Sequence, residues 1–220
     1  MKEIRIAPEL KAKSPNAALG CVEADVETGA TPVGLEEALR GCEQRIGKLP
    51  EPRAVLEASA IVATRAGYKM LGKDPARYRG SAEALLRRLI AGKGMPRINN
   101  VVDTINLVSV ESRLSIGLYD LTQVAGAIEF RAGRAGETYK GIGKYDLNLE
   151  GLPLFADGKG PHGSPTSDSE RTMVTEATTK VLAIIISFGG TTALDTAIKR
   201  MREVLESFCA AKNVEAKLVS

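Results

Sequence analysis

The sequence predicts an α+β fold, and three observations support it. Helix-like and strand-like segments are intermixed, without the regular alternation of a parallel βαβ protein. The sequence pattern changes at Met95. Longer, charged segments precede this residue, and short strand-like segments separated by Gly and Pro follow it. The chain has no internal repeat, and 220 residues with 44% hydrophobic content suffice for one full core. We therefore predict one domain over residues 1–220, with an N-terminal part over 1–95, a core over 96–190 and a C-terminal helix and tail over 191–220.

The N-terminal part begins with strands and continues with helices. Ile4 and Ile6 alternate with charged residues, and residues 21–26 alternate again, so both stretches are predicted to be strands. Three helices are then expected, over residues 35–46, 52–71 and 82–91. Pro52 suits the first turn of the second helix, and Ser81 is a candidate N-cap of the third.

The rest of the chain combines two further helices with short strands. A helix is expected from Asn99 to about Ser112, and a final amphipathic helix over residues 193–211. Five strands are expected, over residues 115–119, 127–131, 152–155, 181–187 and 214–219.

Composition and charge exclude several classes of protein. The net charge is only +3, and the absence of Trp with 4% aromatic residues argues against a broad base-stacking surface. The charged start lacks the apolar stretch of a signal peptide, and the longest aliphatic run, residues 181–186, is too short to cross a bilayer. Cys21, Cys42 and Cys209 form neither a CxxC pair nor a disulfide framework. We therefore expect a cytoplasmic protein with reduced thiols and no membrane contact.

The segment RINNVVDTINLVS, residues 97–109, carries polar groups inside an apolar helix. On a helical wheel its aliphatic residues share one sector, whereas Asn99, Asp103 and Asn106 form a polar stripe in another. One interpretation is an N-cap at Asn99 followed by a hydrated face. The other is a stripe that borders a cavity, where these groups and Asn100 hold loops or a polar ligand by hydrogen bonds.

The segment DGKGPHGSPTSDSERT, residues 157–172, is rich in hydroxyl groups and holds the only histidine of the chain, His162. Part of it matches GxGxxG, but Pro161 and Pro165 forbid the helix that a dinucleotide site needs. A Ser–His–Asp triad and a metal site are disfavoured, because the residue order fits no known triad and one His lacks partner ligands. This hydroxyl-rich segment is either an exposed loop or a site loop, whose hydroxyls and Arg171 grip an anionic or polar ligand.

Positive charge is concentrated between Arg65 and Arg97. This stretch has nine cations and two acids, +7 in total, which leaves −4 for the rest of the chain. A positive patch with interleaved aromatic residues fits contact with the phosphates of a nucleic acid. The alternative is that several of these arginines cap helices or pair with acids inside the fold. The candidate RNA-binding residues are Arg77, Arg79, Arg87, Arg88, Lys93 and Arg97.

About Pro96 to Ile186, the sequence resembles the B3/4 domain of the phenylalanyl-tRNA synthetase beta subunit. The resemblance rests on an INNVVD helix, an aromatic–Asp pair, a glycine, an Arg–Ala pair and a Gly–Glu turn, in that order. In this chain they are Ile98 to Asp103, Tyr119-Asp120, Gly126, Arg131-Ala132 and Gly136-Glu137. The stretches GLPLFAD and VTEATTKVLAIII are also similar to that domain, whereas KDPARYRGSAEALLRRLIAGKG and GSPTSDSERT resemble stand-alone B3/4 proteins, which lack the synthetase modules.

The resemblance implies a mixed, partly closed, barrel-like sheet wrapped by helices. It also implies chemistry at the end of a tRNA without a metal or a cofactor. Two departures mean that tyrosine editing is not carried over: Gly117 stands where the synthetase usually has a histidine, and residues 165–171 replace a glycine-rich loop. His162 is then the candidate proton carrier. The candidate substrate-binding residues are Asn99, Asn100, Asp103, Asn106, Asp120, Asp168, Ser169, Arg171 and Thr172.

Three functions follow from these features. The first is a free-standing deacylase that hydrolyses a mischarged aminoacyl-tRNA, and the second is an RNA-binding or tRNA-binding module without catalysis. The third is an amino-acid-binding or metabolite-binding protein that has kept the pocket. The expected partner is tRNA or aminoacyl-tRNA, with a small polar ligand as the alternative. The pocket requires the polar stripe and the hydroxyl-rich segment to meet in space.

Overall fold

The computed structural model describes residues 1–220, which form ten strands, six α-helices and three short 3₁₀ helices. The strands are β1 (Ile4–Ile6), β2 (Ala18–Asp25), β3 (Ser115–Asp120), β4 (Ile128–Ala132), β5 (Thr138–Lys140), β6 (Asp146–Asn148), β7 (Pro153–Asp157), β8 (Gly160–Gly163), β9 (Lys180–Ser187) and β10 (Lys212–Val219). The helices are α1 (Pro8–Lys13), α2 (Val33–Gly47), α3 (Ser59–Met70), α4 (Ser81–Ile90), α5 (Asn100–Ser112) and α6 (Leu194–Phe208). The 3₁₀ helices are Pro52–Glu57, Leu121–Gln123 and Glu170–Thr172.

The strands form two four-stranded sheets and a separate hairpin. The first sheet has the order β10–β2–β9–β3, and all its neighbouring strands are antiparallel. The second has the order β1–β4–β7–β8 and is mixed, because β1 and β4 run parallel. Strands β5 and β6 pair only with each other. The sheets are open and do not close into a barrel, and the predicted α+β class with mixed pairing is confirmed.

The first sheet lies between a helical layer and the second sheet. Along β9 the side chains of Val181, Ala183 and Ile185 enter one hydrophobic core, and those of the residues between them enter another. This alternation is the period of two that a strand imposes. The first core is completed by α5 and α6, and the second by α1 and the strands of the second sheet. The apolar run of β9, residues 181–186, therefore reflects burial on both faces.

A third core lies between helices and explains why α5 is so apolar. Side chains of α2, α4 and the 3₁₀ helix Pro52–Glu57 pack against Leu107 and Val110 of α5. Other side chains of α5, including Val101 and Val108, face the first core. Because α5 is covered on two sides, most of its residues are buried, and its polar groups must find partners inside the protein.

Most predicted elements are confirmed, with differences where local geometry decides. The stretch predicted as one helix over 52–71 is broken at Ala58, whose extended backbone (ψ 138°) separates a 3₁₀ helix from α3. Ser81 is the first residue of α4 rather than its N-cap, which is Gly80. Helix α1 and strands β5, β6 and β8 were not predicted from the sequence. None of the helices combines the length and the apolar composition that a bilayer span requires.

Candidate functional site

The N-terminus of α5 is fastened by two of its polar side chains. Asn99 is the N-cap, and its Oδ1 accepts a hydrogen bond from the backbone N–H of Val102 at 2.9 Å. The carboxylate of Asp103 accepts from the N–H of Ile98 at 2.9 Å and from Thr31 Oγ1 at 2.6 Å. Asp103 is fully buried, so these two bonds replace the water that its oxygens would otherwise bind.

Asn100 uses its whole amide to hold other parts of the chain. Its Oδ1 accepts from the N–H of Gly29 at 2.8 Å and of Val101 at 3.0 Å. Its Nδ2 donates to the carbonyl of Glu27 at 2.8 Å and to that of Phe208 at 3.0 Å. One side chain therefore ties α5 to the connection after β2 and to the C-terminal end of α6.

The side chains of the predicted polar stripe bind parts of the same chain. The polar groups of Asn99, Asn100 and Asp103 bind the chain's own backbone and Thr31, and the side chain of Asn106 makes no hydrogen bond. The stripe and the hydroxyl-rich segment share no hydrogen bond, and a ligand-binding role for the stripe stays a prediction. A cavity of about 590 Å³ lies elsewhere, between α5 and α6, and is lined in part by Glu111, Ala197 and Arg200.

The hydroxyl-rich segment is anchored in the protein by tyrosines from separate elements. Tyr68 of α3 shares a hydrogen bond of 2.6 Å with Thr166 Oγ1. Tyr139 of β5 donates to the carbonyl of Ser167 at 2.5 Å, and Ser164 Oγ donates to the same carbonyl at 2.9 Å. The segment is thus an ordered turn with internal bonds, and not the freely exposed loop of the alternative interpretation.

Asp168 is the buried carboxyl of this turn. Its Oδ1 accepts from Tyr119 Oη at 3.0 Å, and its Oδ2 accepts from the N–H of Leu118 at 3.3 Å. Burial raises the pKa of the Asp168 carboxyl to about 7, and the hydrogen bonds and the charge of Lys144 oppose this rise only in part. A carboxyl with this pKa exchanges a proton near neutral pH.

Two glycines make room for Tyr119 next to Asp168. A Cβ atom at Gly117 or at Gly163 would collide with Tyr119 Oη. The phenol ring therefore lies where a longer side chain at position 117 would lie.

His162 is buried and isolated from other polar groups. Neither ring nitrogen has a hydrogen-bond partner, and the ring packs edge-on to Tyr119, with 4.6 Å between ring centroids. Burial lowers the pKa of the imidazole to about 4, so the ring is neutral near pH 7. Neither nitrogen contacts a group with which it could exchange a proton, and the predicted role of His162 as a proton carrier stays a prediction.

The other predicted residues of the hydroxyl-rich segment serve the fold. Arg171 forms a bidentate ion pair with the buried carboxylate of Asp157, with bonds of 2.9 and 3.0 Å. Ser169 Oγ accepts from the N–H of Arg171 at 3.2 Å, and Thr172 Oγ1 donates to the carbonyl of His162 at 3.4 Å. The guanidinium of Arg171 is therefore already neutralised, which corrects the expectation that it grips an anionic ligand.

Asp120 likewise closes a turn at the end of β3. Its Oδ1 accepts from the N–H and the Oγ1 of Thr122, at 2.9 and 2.6 Å. Its Oδ2 accepts from Thr178 Oγ1 at 2.8 Å, which links this turn to the start of β9. Both carboxylate oxygens are thus used by the protein. No group of three His, Cys, Asp or Glu side chains is arranged to hold a metal ion.

The candidate RNA-binding cations divide into two sets. Arg87 pairs with the buried carboxylate of Glu83 at 2.8 Å, and Arg97 pairs with Glu36 at 2.6 Å, so both are structural. Arg88 donates to the carbonyl of Gly94 at 2.7 Å. In this stretch, the exposed cations without an ion pair are Arg77, Arg79, Arg88 and Lys93, from the predicted set, and Lys69.

The unpaired cations before α4 stand beside the hydroxyl-rich segment. The stretch over 69–79, called the cationic segment below, contains Lys69, Lys73, Arg77 and Arg79. The N–H of Ser81, just after it, donates to the carbonyl of Pro165 at 2.7 Å. Lys73 and Arg77 flank the ring of Tyr78, at 5.7 and 5.4 Å from its centroid. The structure therefore brings the basic stretch and the hydroxyl-rich segment together. The polar stripe makes no hydrogen bond with either of the two contacting residues, Ser81 and Pro165.

Some residues of this surface were missed from the sequence. Tyr139 lies 28 residues from its partner Ser167, and no local pattern relates the two. Lys144 is close enough to Asp168 to lower its pKa, although it belongs to the unpredicted β5–β6 hairpin. Only the alternation around Tyr139 could have suggested a strand there, and three residues are too few for a reliable period.

The fold and the site define an α+β protein with open mixed sheets and a tyrosine-anchored, hydroxyl-rich turn beside a cationic segment. The sequence matches the B3/4 domain family over residues 63–210, and the chain belongs to that family. The chain is also similar to a crystal structure of an N-terminal fragment of the phenylalanyl-tRNA synthetase beta subunit from Pyrococcus horikoshii. The TM-score is 0.47 at 16% sequence identity, and the match covers 99% of this chain and 50% of that fragment. No curated protein matches the sequence.

Proposed function

We propose that this chain is a tRNA-associated B3/4 protein that holds RNA phosphates through the cationic segment. The single observation that carries the proposal is the contrast between its cations. Arg87 and Arg97 are neutralised by acids, whereas Arg77 and Arg79 are exposed, lack ion pairs and lie on one short stretch. When unpaired guanidinium groups contact RNA phosphates, they displace the cations that are condensed on the RNA. The release of these cations drives binding.

The proposal is tested by the salt dependence of RNA binding. The binding of a labelled tRNA is measured by fluorescence anisotropy at several salt concentrations, for the wild type and for the variant with Arg77→Ala and Arg79→Ala. Each phosphate contact adds roughly 0.7 to 0.9 to the slope of log affinity against log salt. We therefore expect the double variant to lower this slope by about 1.5 and to weaken binding at low salt.

A matched control separates a local contact from a general charge effect. Lys199 and Arg202 of α6 are exposed and have no ion pair. The variant with Lys199→Ala and Arg202→Ala removes the same charge from another surface, and its salt slope should match that of the wild type. Equal losses in the two double variants, or wild-type binding that does not depend on salt, would contradict the proposal.

Deacylation of a mischarged tRNA is the second candidate function, and Asp168 is the observation that favours it. In this reaction water adds to the ester carbonyl and the ribose oxygen leaves, so a group that exchanges protons near pH 7 assists it. The carboxyl of Asp168 has such a pKa. It belongs to the hydroxyl-rich segment, whose Pro165 carbonyl accepts from Ser81 just after the cationic segment. A positioned water and donors to the developing oxyanion would suffice, without a protein nucleophile.

A panel of mischarged tRNAs tests this second candidate. We expect accelerated ester hydrolysis for one amino acid–tRNA pair, and a loss of at least about tenfold in the Asp168→Asn variant. The variant with Arg77→Ala and Arg79→Ala should raise KM more than it lowers kcat, because those residues bind the tRNA and do not touch the ester. Failure to hydrolyse any pair faster than the uncatalysed rate would exclude the deacylase and leave RNA binding untouched.

A further inference from the structure

Tyr145 is the one exposed aromatic side chain of the nine in the chain. Its side chain is 92% exposed, whereas the other aromatic residues are buried or half-buried. It lies in the turn between β5 and β6, next to Ile142, which is 44% exposed. An exposed ring in a protein with so few aromatic residues is a candidate contact for a ligand.

The hairpin that carries Tyr145 is held firmly by its base. Tyr139 donates to the carbonyl of Ser167, and the N–H of Ile142 donates to the carbonyl of Asp168 at 3.0 Å. Lys140 forms an ion pair of 2.9 Å with Glu170. Because the base is fixed on the hydroxyl-rich segment, the turn presents the ring of Tyr145 at a defined place, and little conformational entropy is lost when a ligand covers it.

One cation, Lys144, and one acid, Asp146, flank Tyr145 in the chain, and both are exposed. Lys144, its neighbour in the chain, has no ion pair, and its charge acts on Asp168 of the hydroxyl-rich segment. Tyr78 of the cationic segment and Leu147 of β6 pack against the same small core, which includes Tyr68 and Tyr139. The hairpin and the cationic segment therefore pack against the same small core. The hydroxyl-rich segment is hydrogen-bonded to Tyr139 of the hairpin and to Ser81, just after the cationic segment.

We infer that Tyr145 stacks on an unpaired base at a single-stranded end of the RNA, while Lys144 and the cationic segment hold its phosphates. This inference rests on the proposed function and names the part of the RNA that binds. An exposed ring that shares a supporting core with unpaired cations is an arrangement suited to proteins that bind single-stranded nucleic acids, since every base offers a face for stacking. One ring and one aliphatic side chain are too small a patch for a stable protein interface.

The class of ligand follows from the same geometry. Stacking reads the face of a base and not its edge, so Tyr145 should tolerate all four bases. A base inside a duplex is already stacked on its neighbours and is closed to the ring. The surface should therefore prefer an RNA with an unpaired end over a blunt duplex of the same sequence and charge per nucleotide.

The experiment compares two RNA duplexes of two annealed strands, one with about four unpaired nucleotides at a 3′ end and one blunt at both ends. Binding is measured by fluorescence anisotropy for the wild type, Tyr145→Ala and Tyr145→Phe. We expect Tyr145→Ala to weaken binding of the RNA with the unpaired end by about tenfold and to leave the blunt RNA unchanged. Tyr145→Phe keeps the ring and should bind both RNAs as the wild type does.

A spectroscopic signal identifies stacking directly. A 2-aminopurine placed in the unpaired end should be quenched when the wild type binds and should stay bright with Tyr145→Ala at saturating protein. Because Tyr145 is exposed, the melting temperature should be the same for all three proteins, and this is checked first.

The outcomes separate this inference from the proposed function. If the wild type binds both RNAs and Tyr145→Ala binds them equally well, the stacking role is overturned and RNA binding stands. Equal weakening of both RNAs also overturns it, since a blunt duplex offers no free base. A wild type that binds neither RNA overturns the proposed function itself, and this inference with it.

Discussion

At the scale of single residues, His162 is a buried base without a proton partner. The folded pKa is about 4 against an ordinary value of 6.5, so between these values the unfolded chain binds a proton and the folded chain does not. The stability that depends on the neutral ring is complete above pH 6.5 and is lost as the pH falls from 6.5 toward 4. The gap between the two pKa values corresponds to about 3 kcal/mol.

His162→Leu tests this dependence, because leucine has a similar volume and no titrating group. We expect the variant to be as stable as the wild type near pH 7.5, or slightly more stable, since it removes two unsatisfied nitrogens. Toward pH 4 it should become more stable than the wild type by up to about 3 kcal/mol. Urea unfolding at several pH values measures both. Parallel pH profiles for the two proteins would show that the imidazole has a partner in solution.

Asp168 has the opposite dependence on pH. Its folded pKa of about 7 exceeds the ordinary value of 3.8, so the folded chain holds a proton that the unfolded chain has lost. Its contribution to stability is complete below pH 3.8 and is lost as the pH rises to 7. Asp168→Asn should therefore be more stable than the wild type at pH 8, by at most about 4 kcal/mol, and less so at pH 5.

The control for Asp168→Asn is the same change at an exposed carboxylate. Asp146 of β6 is exposed and has no ion pair, so Asp146→Asn should shift stability equally at pH 5 and pH 8. Chemical unfolding of the three proteins at these two pH values is the measurement. A constant difference between Asp168→Asn and the wild type would mean that the carboxyl is ionised in the folded protein over the whole range.

The sequence shows where charge is concentrated, but not which of the charged side chains are paired. The exposed cations Arg77 and Arg79 were found because charge density is visible along the chain. The roles of Arg87 and Arg171 were missed. Arg87 pairs with Glu83 one helical turn away, but the pairing of Arg171 with Asp157 depends on how the hydroxyl-rich segment folds back. A sequence gives the charges, whereas only the fold gives the partners.

At the scale of elements, the polar stripe of α5 holds neighbouring loop segments against this buried helix by hydrogen bonds. Asn100 makes four hydrogen bonds, whereas Asn106, on the same helix, makes none. Asn100→Ala leaves partly buried backbone groups of Gly29, Glu27 and Phe208 without their side-chain partner. The expected cost is about 3 kcal/mol of unfolding free energy, since each unsatisfied group costs about 1 kcal/mol or more.

Asn106→Ala is the matched control for this prediction, with the same chemical change on the same helix. It should change the unfolding free energy by less than about 0.5 kcal/mol. Urea unfolding of both variants gives the two values. Equal small effects would mean that the amide of Asn100 is dispensable, and the interpretation of the stripe as a ligand surface would return.

The elements that the sequence revealed are those with a long period or a strong composition. Helix α6 and strand β9 are 15 and 8 residues long, so their apolar patterns repeat enough to be recognised. Strands β5, β6 and β8 have three or four residues, and β8 contains Pro161, which a ladder position rarely tolerates. These short strands are held by tertiary contacts, which a local pattern does not encode.

At the scale of the whole molecule, the first sheet links the cores. Strand β2 sends Val22 and Ala24 into the first core and Leu19 and Cys21 into the second, as β9 does on its side of the pairing. Neither core can lose its packing without disturbing the strands that both share. The sheet also joins the N-terminal, central and C-terminal parts of the chain, since β2, β3, β9 and β10 are its members. These shared strands support the proposal of one domain over all 220 residues.

The pair Ile184 and Ile185 tests whether the chain unfolds as one unit, because these adjacent, fully buried residues of β9 point into different cores. Each Ile→Ala change should cost about 2–5 kcal/mol and lower the melting temperature by about 2–4 °C per kcal/mol. If the cores are coupled, far-ultraviolet circular dichroism and tyrosine fluorescence will report one coincident transition in the wild type and in both variants. Two separate transitions, of which each variant shifts only one, would divide the chain into independent folding units. The cationic segment and the hairpin of Tyr145 both pack against the small core of Tyr68 and Tyr139. In that case, RNA binding would have to be measured on the folding unit that contains this core.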